Sequence, residues 1–207
     1  MSRELIFTRF ERFWHWSQAL LVFSLLTTGL ELHGAYTLLG FGAAFSAHIV
    51  LAWVLIGLWA FAIFWHLTTG EWRQYVPTGS GVLRMVAYYG YGIFSGEAKP
   101  YTKTPSAKHN PLQRVAYFSF KAAIAPALWI SGLLLLFYGS WSGTALNEWL
   151  SLGSVAWVHV AAAFGLMVFI IGHLYMALTT GKPWYEFVKS MITGYHDVEQ
   201  PRSTTHR

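Results

Sequence analysis

Four stretches of the chain stay apolar long enough to cross a bilayer core, which takes about 20 residues of helix. They run from Phe13 to Leu32, Phe41 to Leu67, Pro111 to about Trp141, and Val155 to Thr180. The second and fourth carry no formal charge over 27 and 26 residues. The first has Glu31 near its end, and the third is interrupted in character by Lys121 and Pro126. Between the second and third lies the one long connection, Thr68 to about His109. It holds SGVLRMVAYYGYGIF, which reads in part as an interfacial helix, and then the polar stretch SGEAKPYTKTPSAKHN. The pattern predicts an all-α membrane protein, a four-transmembrane-helix bundle forming one domain over residues 1–195. Residues 196–207 read as a disordered tail. No repeat of fixed period is present, although spans two and four each place a histidine about one turn from their start.

Charge gives this bundle an orientation. The loops after spans one and three contain no Lys or Arg; all 14 basic residues lie in the N-terminal segment, in the long connection and the start of span three, or in the tail. The positive-inside rule then puts both termini and the long connection in the cytoplasm. The same distribution makes the net charge of +5 a matter of topology and argues against nucleic acid as a partner. No small-residue cleavage site closes the first apolar run, so it reads as a retained span. The composition agrees with membrane lipid as the surroundings, being 55% hydrophobic and 11% charged, where a soluble domain carries about 25% charged residues. The absence of cysteine rules out disulfides, thiolate-held metal, iron–sulfur clusters and covalent c-type haem.

The candidate chemistry is histidine. His159 and His173 lie fourteen positions apart on span four, which returns to within roughly 40° of one face about 21 Å further along. His15 lies one turn inside span one and His48 near the start of span two. Given the orientation, the four fall into two level pairs: His15 with His173 on the inner side, His48 with His159 on the outer side. A lone histidine in an apolar helix is more often a hydrogen-bonded core residue than a ligand. Two pairs at matched depth point instead to two non-covalent b-type haems, each held by axial side chains from facing helices. A proton relay or small transporter is the rival from another class, but a relay wants histidines staggered along one path. His66, eighteen positions after His48 and on the same face, is an alternative to His15. Solvated surface is the expectation for His33, His109, His196 and His206. Gly29, Gly57, Gly165 and Gly172 fit either close approach of a macrocycle or close helix contacts.

The ordered set of R-F-W-H-W at Arg12–Trp16, His48, K-H-N-P-L-Q-R at Lys108–Arg114 and the His159–His173 pair resembles a known family. It is the membrane cytochrome b subunit of respiratory molybdenum enzymes, such as the formate dehydrogenase gamma subunit and the thiosulfate reductase cytochrome b subunit, within the cytochrome b561-like superfamily. The resemblance covers nearly the whole chain except the tail. It implies a di-haem electron-transfer subunit in the bacterial inner membrane, with His15 and His173 on the inner haem iron and His48 and His159 on the outer. It implies an iron–sulfur or other redox subunit at the periplasmic face. It also implies a quinone, menaquinone or ubiquinone, bound on the cytoplasmic side through the N-x-x-Q segment, here Asn110 and Gln113. Pro111-Leu112 stand where the family often has Gly before Gln. Read without the family, Asn110, Pro111 and Gln113 are also a sound helix start, a cap with Pro at the first position. Arg12 and Lys121, with Arg9 as an alternative, are candidate partners for haem propionates. Lys121, roughly 15 Å along its helix, can instead snorkel to the surface. A stand-alone cytochrome b561 that reduces quinone without a stable partner is the alternative within the same fold.

Overall fold

A computed structural model describes residues 2–77, 80–97, 100–101, 109–179, 181 and 183–198. In chain order the elements are β1 (Ser2–Leu5), α1 (Arg9–Leu32), α2 (Phe41–Thr69), α3 (Val82–Ala87), α4 (Pro111–Ser119), α5 (Ala125–Leu136), α6 (Tyr138–Trp141), α7 (Leu146–Trp149), α8 (Leu152–Thr179), α9 (Glu186–Thr193) and β2 (Tyr195–Val198). Among the described residues, three helices are long and apolar enough to cross a membrane: α2, α8, and the continuous helix Pro111–Leu136 that joins α4 to α5. Helix α1 has 24 residues, with Arg9, Glu11 and Arg12 in its first turn and Glu31 in its last. Large apolar side chains such as Leu20, Phe64, Val168 and Ile171 stand exposed along these helices, as lipid-facing surfaces require. The chain divides into two compact units, Met1–Arg73 with Tyr185–Arg207, and Gln74–Trp184.

The first unit is built on the α1–α2 hairpin. Thr8 and Glu11 form a capping box that starts α1, the Thr8 amide donating to Glu11 at 2.8 Å and the Glu11 amide to Thr8 at 3.3 Å. At the other end of α1 the buried Glu31 carboxylate accepts the amides of Leu38, Leu39 and Gly40 at 2.9, 2.8 and 2.7 Å. A charge near the end of an apolar helix is therefore used to fix the residues leading into α2. Rings interlock at the opposite end of the hairpin: Phe10 meets Trp65 with centroids 4.3 Å apart, and Trp14 meets His66 at 5.0 Å.

Short strands close this unit where none was expected. β1 pairs antiparallel with β2, Ser2 opposite Val198 and Leu5 opposite Tyr195. The amides of Ile6 and Phe7 both donate to the Gly194 carbonyl. Gly194 ends α9 at φ +89°, and a Cβ there would come within 2.7 Å of the Phe7 carbonyl oxygen, so glycine is required. The tail expected from residue 196 thus begins inside a strand that runs to Val198, while residues 199–207 lie outside the described residues. His196 is likewise no solvated side chain. Its ring stacks on Phe187 at 6.0 Å, with Nε2 3.2 Å from Glu186 and Nδ1 3.3 Å from Ser190 Oγ. His33 is exposed as expected, and His206 lies outside the described residues.

The second unit contains the remaining helices. The segment read as interfacial folds as α3 and a π-helical turn, Tyr88–Gly92. It buries Met85, Tyr88 and Tyr89 against Ile93, Tyr101, Leu112 and Met176, and exposes Leu83, Tyr91 and Phe94. Residues 102–108 of the polar stretch lie outside the described residues. Between α4 and α5 a second π-helical turn, Phe120–Ile124, precedes Pro126. Proline has no N–H for the carbonyl four residues back and its ring crowds that carbonyl; the extra residue of a π turn makes room for it. Lys121 sits in this turn. The third apolar stretch ends its long helix at Leu136, five residues before the expected Trp141, which lies in the short α6. The Trp141 indole folds back to donate to the Leu134 carbonyl at 2.8 Å, capping the end of α5. Helix α8 starts at Leu152, before the expected Val155, because Ser151 and Ser154 exchange side-chain and backbone bonds as a cap, at 3.0 and 3.1 Å.

Candidate functional site

Histidines that ligate a metal through Nε2 need a neutral ring whose other nitrogen, Nδ1–H, is held by an acceptor. In the first unit His48 meets this requirement. Its Nδ1 lies 2.9 Å from Thr28 Oγ1, and that hydroxyl also lies 3.0 and 3.2 Å from the carbonyls of Ser24 and Leu25. With the hydroxyl proton on either carbonyl, Thr28 accepts from Nδ1–H, the tautomer in which Nε2 is the ligating atom. Gly29 beside Thr28 lets the ring lie close: a Cβ there would stand 3.3 Å from His48 Cε1.

His159 has the same surroundings in the second unit. Its Nδ1 lies 3.0 Å from Ser131 Oγ, and the buried Ser131 donates to the carbonyls of Leu128, at 3.3 Å, and Ala127. Gly132 supplies the close approach, with a Cβ position 3.2 Å from His159 Cε1. Further along α8, His173 Nδ1 lies 3.4 Å from the Tyr117 hydroxyl, and its ring stacks on Phe169 at 6.1 Å. His15 in α1 packs edge-on against Trp16 at 5.1 Å. Each expected pair draws one histidine from each unit: His15 and His48 from the first, His159 and His173 from the second. His66 is buried, with Nδ1 2.6 Å from the Ala62 carbonyl one turn back. That bond also fixes an Nδ1–H tautomer, so His66 shares the chemistry of a ligand.

Asn110 and Gln113 start α4 as a complete capping box. The Asn110 amide donates to Gln113 Oε1 at 3.0 Å and the Gln113 amide to Asn110 Oδ1 at 2.8 Å. Asn110 is buried, and its side-chain amide donates to the Tyr89 hydroxyl at 2.9 Å. The Tyr89 carbonyl in turn accepts from Tyr175 of α8 at 3.2 Å. Asn110 is thus committed to structure, and the amide nitrogen of the half-buried Gln113 is the polar group that the box does not use. Gln113 stands one turn before Tyr117 on the same face of α4. Lys121 lies 3.2 Å above the centre of the Tyr75 ring, a cation–π contact suited to a desolvated cation. Tyr75 also packs on His109, which meets Tyr117 edge-on at 5.0 Å; His109 is half-buried, where solvated surface was expected. Arg12 donates from Nη1 to the Ile192 carbonyl at 2.6 Å, and Trp16 donates to the Met191 carbonyl at 3.2 Å. Both cap the end of α9.

Of the glycines singled out from the sequence, Gly29 faces His48 and Gly165 packs on Ile124, while a Cβ at Gly57 or Gly172 would meet nothing within 4 Å. Thr28, Ser131, Gly132 and Tyr117 were not foreseen. The readable trace was a hydroxyl–glycine pair inside an apolar run, at Thr28-Gly29 and again at Ser131-Gly132.

The donor set fits haem. Several imidazoles with Nδ1 within hydrogen-bonding distance of an oxygen lie in apolar helices, with no cysteine in the chain. Comparison with known proteins agrees. The model of the prokaryotic cytochrome b561 family matches residues 6–194. The chain is 34% identical over 200 residues to the "Putative cytochrome YdhU" of Escherichia coli (strain K12), covering 92% of this chain and 74% of that one. No solved structure matches the chain.

Proposed function

Because the chain belongs to the prokaryotic cytochrome b561 family, and so is an integral membrane haem protein of electron transfer, we propose that it is a di-haem subunit carrying electrons between a partner at the outer face and the quinone pool. His48 and His159 hold the outer haem, and His15 and His173 hold the inner one. Bound haem supplies one-electron chemistry; the protein supplies ligation, spacing and a dry surrounding. The observation that carries this reading is the matched treatment of His48 and His159, each with Nδ1 against a hydroxyl that also reaches carbonyls of its own helix. The protein lies in the bacterial inner membrane as four spans, α1 included, with both termini inside, as the basic residues favour.

The quinone, menaquinone or ubiquinone, binds on the cytoplasmic side beside His173, where the Gln113 amide nitrogen is offered to a quinone carbonyl. Asn110 holds that segment in place. Support comes from the chain of contacts within the second unit: Gln113 precedes Tyr117 by one turn, and Tyr117 meets His173. An iron–sulfur or other redox subunit docks at the periplasmic face. A reduced-minus-oxidised spectrum with a haem-to-protein ratio tests the first claim, the expected ratio being two. A preparation with one haem or none, grown with ample haem, overturns it. A quinone-analogue inhibitor is expected to shift the inner haem's spectrum and leave the outer one unchanged.

A further inference from the structure

We infer that Thr28 and Ser131 are matched positioning residues for the outer pair of histidines, fixing their tautomer and setting how strongly they donate to whatever metal they hold. The inference rests on the reading of His48 and His159 as ligands and extends it to residues that touch no cofactor. The two sites are duplicates although the sequence carries no fixed-period repeat, the hydroxyl and histidine being 20 positions apart in one unit and 28 in the other. In each unit the hydroxyl lies on the first long helix and the histidine on the second. Each hydroxyl also lies within hydrogen-bonding distance of carbonyls of its own helix, an arrangement in which it can accept from the ring, and the His159 ring engages the Leu128 backbone as well. Each is followed by a glycine that faces the same two ring atoms, Cε1 and Nδ1, at 3.3 and 3.7 Å for Gly29 with His48 and 3.2 and 3.6 Å for Gly132 with His159. The agreement extends to the same edge of the imidazole.

The chemistry follows from the donor direction. An acceptor on Nδ1–H makes the imidazole more basic at Nε2. A hydroxyl that is itself donating is a better acceptor, because successive hydrogen bonds polarise one another. A more basic ligand favours the oxidised metal, so the pair of hydroxyls holds the outer potential down. Glycine contributes differently: with no Cβ, it admits the ring to hydrogen-bonding distance.

The test is a spectroelectrochemical titration of the purified full-length chain, with haem content measured on the same samples. Thr28→Val and Ser131→Ala remove the hydroxyl with little change of volume. Each is expected to raise the midpoint of the outer haem, by about a tenfold change in the oxidised-to-reduced ratio or about 59 mV, and to leave the inner midpoint in place. Thr28→Ser and Ser131→Thr restore the acceptor and are expected to titrate as the parent. Loss of the outer haem from Thr28→Val with retention in Thr28→Ser also supports the inference, since only the methyl is dispensable. Two retained haems with unmoved midpoints in both Thr28→Val and Ser131→Ala would overturn it, as would haem loss in the conservative variants. A failure of the underlying reading looks different: His48→Ala and His159→Ala would then keep the full haem complement.

Discussion

Asn110 separates a helix cap from a ligand contact, and the structure says how much each should weigh. Its Oδ1 accepts the Gln113 amide and its Nδ2 donates to Tyr89 Oη, and the side chain is buried. Asn110→Ala removes both bonds. Loss of an N-cap costs about 1 kcal/mol, and loss of the buried bond to the Tyr89 hydroxyl about 1 kcal/mol more. Asn110→Asp keeps the cap oxygen and loses only the donor, so it should cost about 1 kcal/mol less than the alanine variant. Gln113→Leu leaves the Asn110 cap and the Tyr89 bond intact and removes the reciprocal bond of the box, for about 0.5–1 kcal/mol. Thermal unfolding in detergent should therefore order the four proteins as parent, Gln113→Leu, Asn110→Asp, Asn110→Ala. Quinone reduction, measured on folded samples with both haems, should order them otherwise, with Gln113→Leu the slowest. Parent-like stability in Asn110→Ala would refute the structural assignment. Parent-like quinone kinetics in Gln113→Leu would remove the quinone contact from this helix start, and His66 would be the next residue to examine.

Other outcomes follow from the same geometry. His48→Ala or His159→Ala should remove the outer haem alone, and His15→Ala the inner; His66→Ala should keep both, and loss of the inner haem there with retention in His15→Ala would exchange the two assignments. Gly29→Ala and Gly132→Ala place a methyl 3.3 and 3.2 Å from an imidazole carbon, and should shift the outer haem's spectrum by tilting its ligand while the inner spectrum stays. Arg12→Ala should expose the segment from Glu186 to Val198 to protease with both haems retained, because its Nη1 caps α9; loss of the inner haem instead would point to a propionate role.

The long helices were legible because nothing competes with a run of apolar residues in deciding that a segment is helical and lipid-facing. Their ends were less so. The third helix stops at Leu136, where the Trp141 indole turns back on it, and that contact depends on a fold of the following loop which hydropathy does not report. The β1–β2 ribbon was missed since four-residue strands of mixed polarity, such as Ser2–Leu5 and Tyr195–Val198, signal nothing until the two ends of the chain meet. The four histidines were legible as costly residues in apolar helices. What secures them was not, because serine and threonine in such helices ordinarily bond only to their own backbone. Thr27, Ser46, Thr68 and Thr179 do just that. The capping box at Asn110 was readable as local chemistry, whereas its bond to Tyr89, 21 positions away, was not.

A hydroxyl against an imidazole is not by itself the mark of a ligand, and the first unit contains the case that shows why. Ser190 back-bonds to the Glu186 carbonyl at 2.9 Å and also meets His196 Nδ1, as Thr28 and Ser131 meet their histidines. Yet His196 has its Nε2 against the Glu186 carboxylate, 3.2 Å away, so both ring nitrogens are bound within the protein. The next residue is Met191, not glycine. That histidine ties β2 to α9, and its ring stands on Phe187. At His48 and His159 the hydroxyl is joined to a glycine and the histidine lies in a long apolar helix, where polar groups are costly unless they serve a purpose. The combination, not the hydrogen bond, sets His48 and His159 apart from a ring used to fasten two elements together. It also sets the control for the titration: Ser190→Ala should loosen the terminal ribbon and leave both haem midpoints where they were, and a shifted outer midpoint there would mean that such changes report general loosening of the fold.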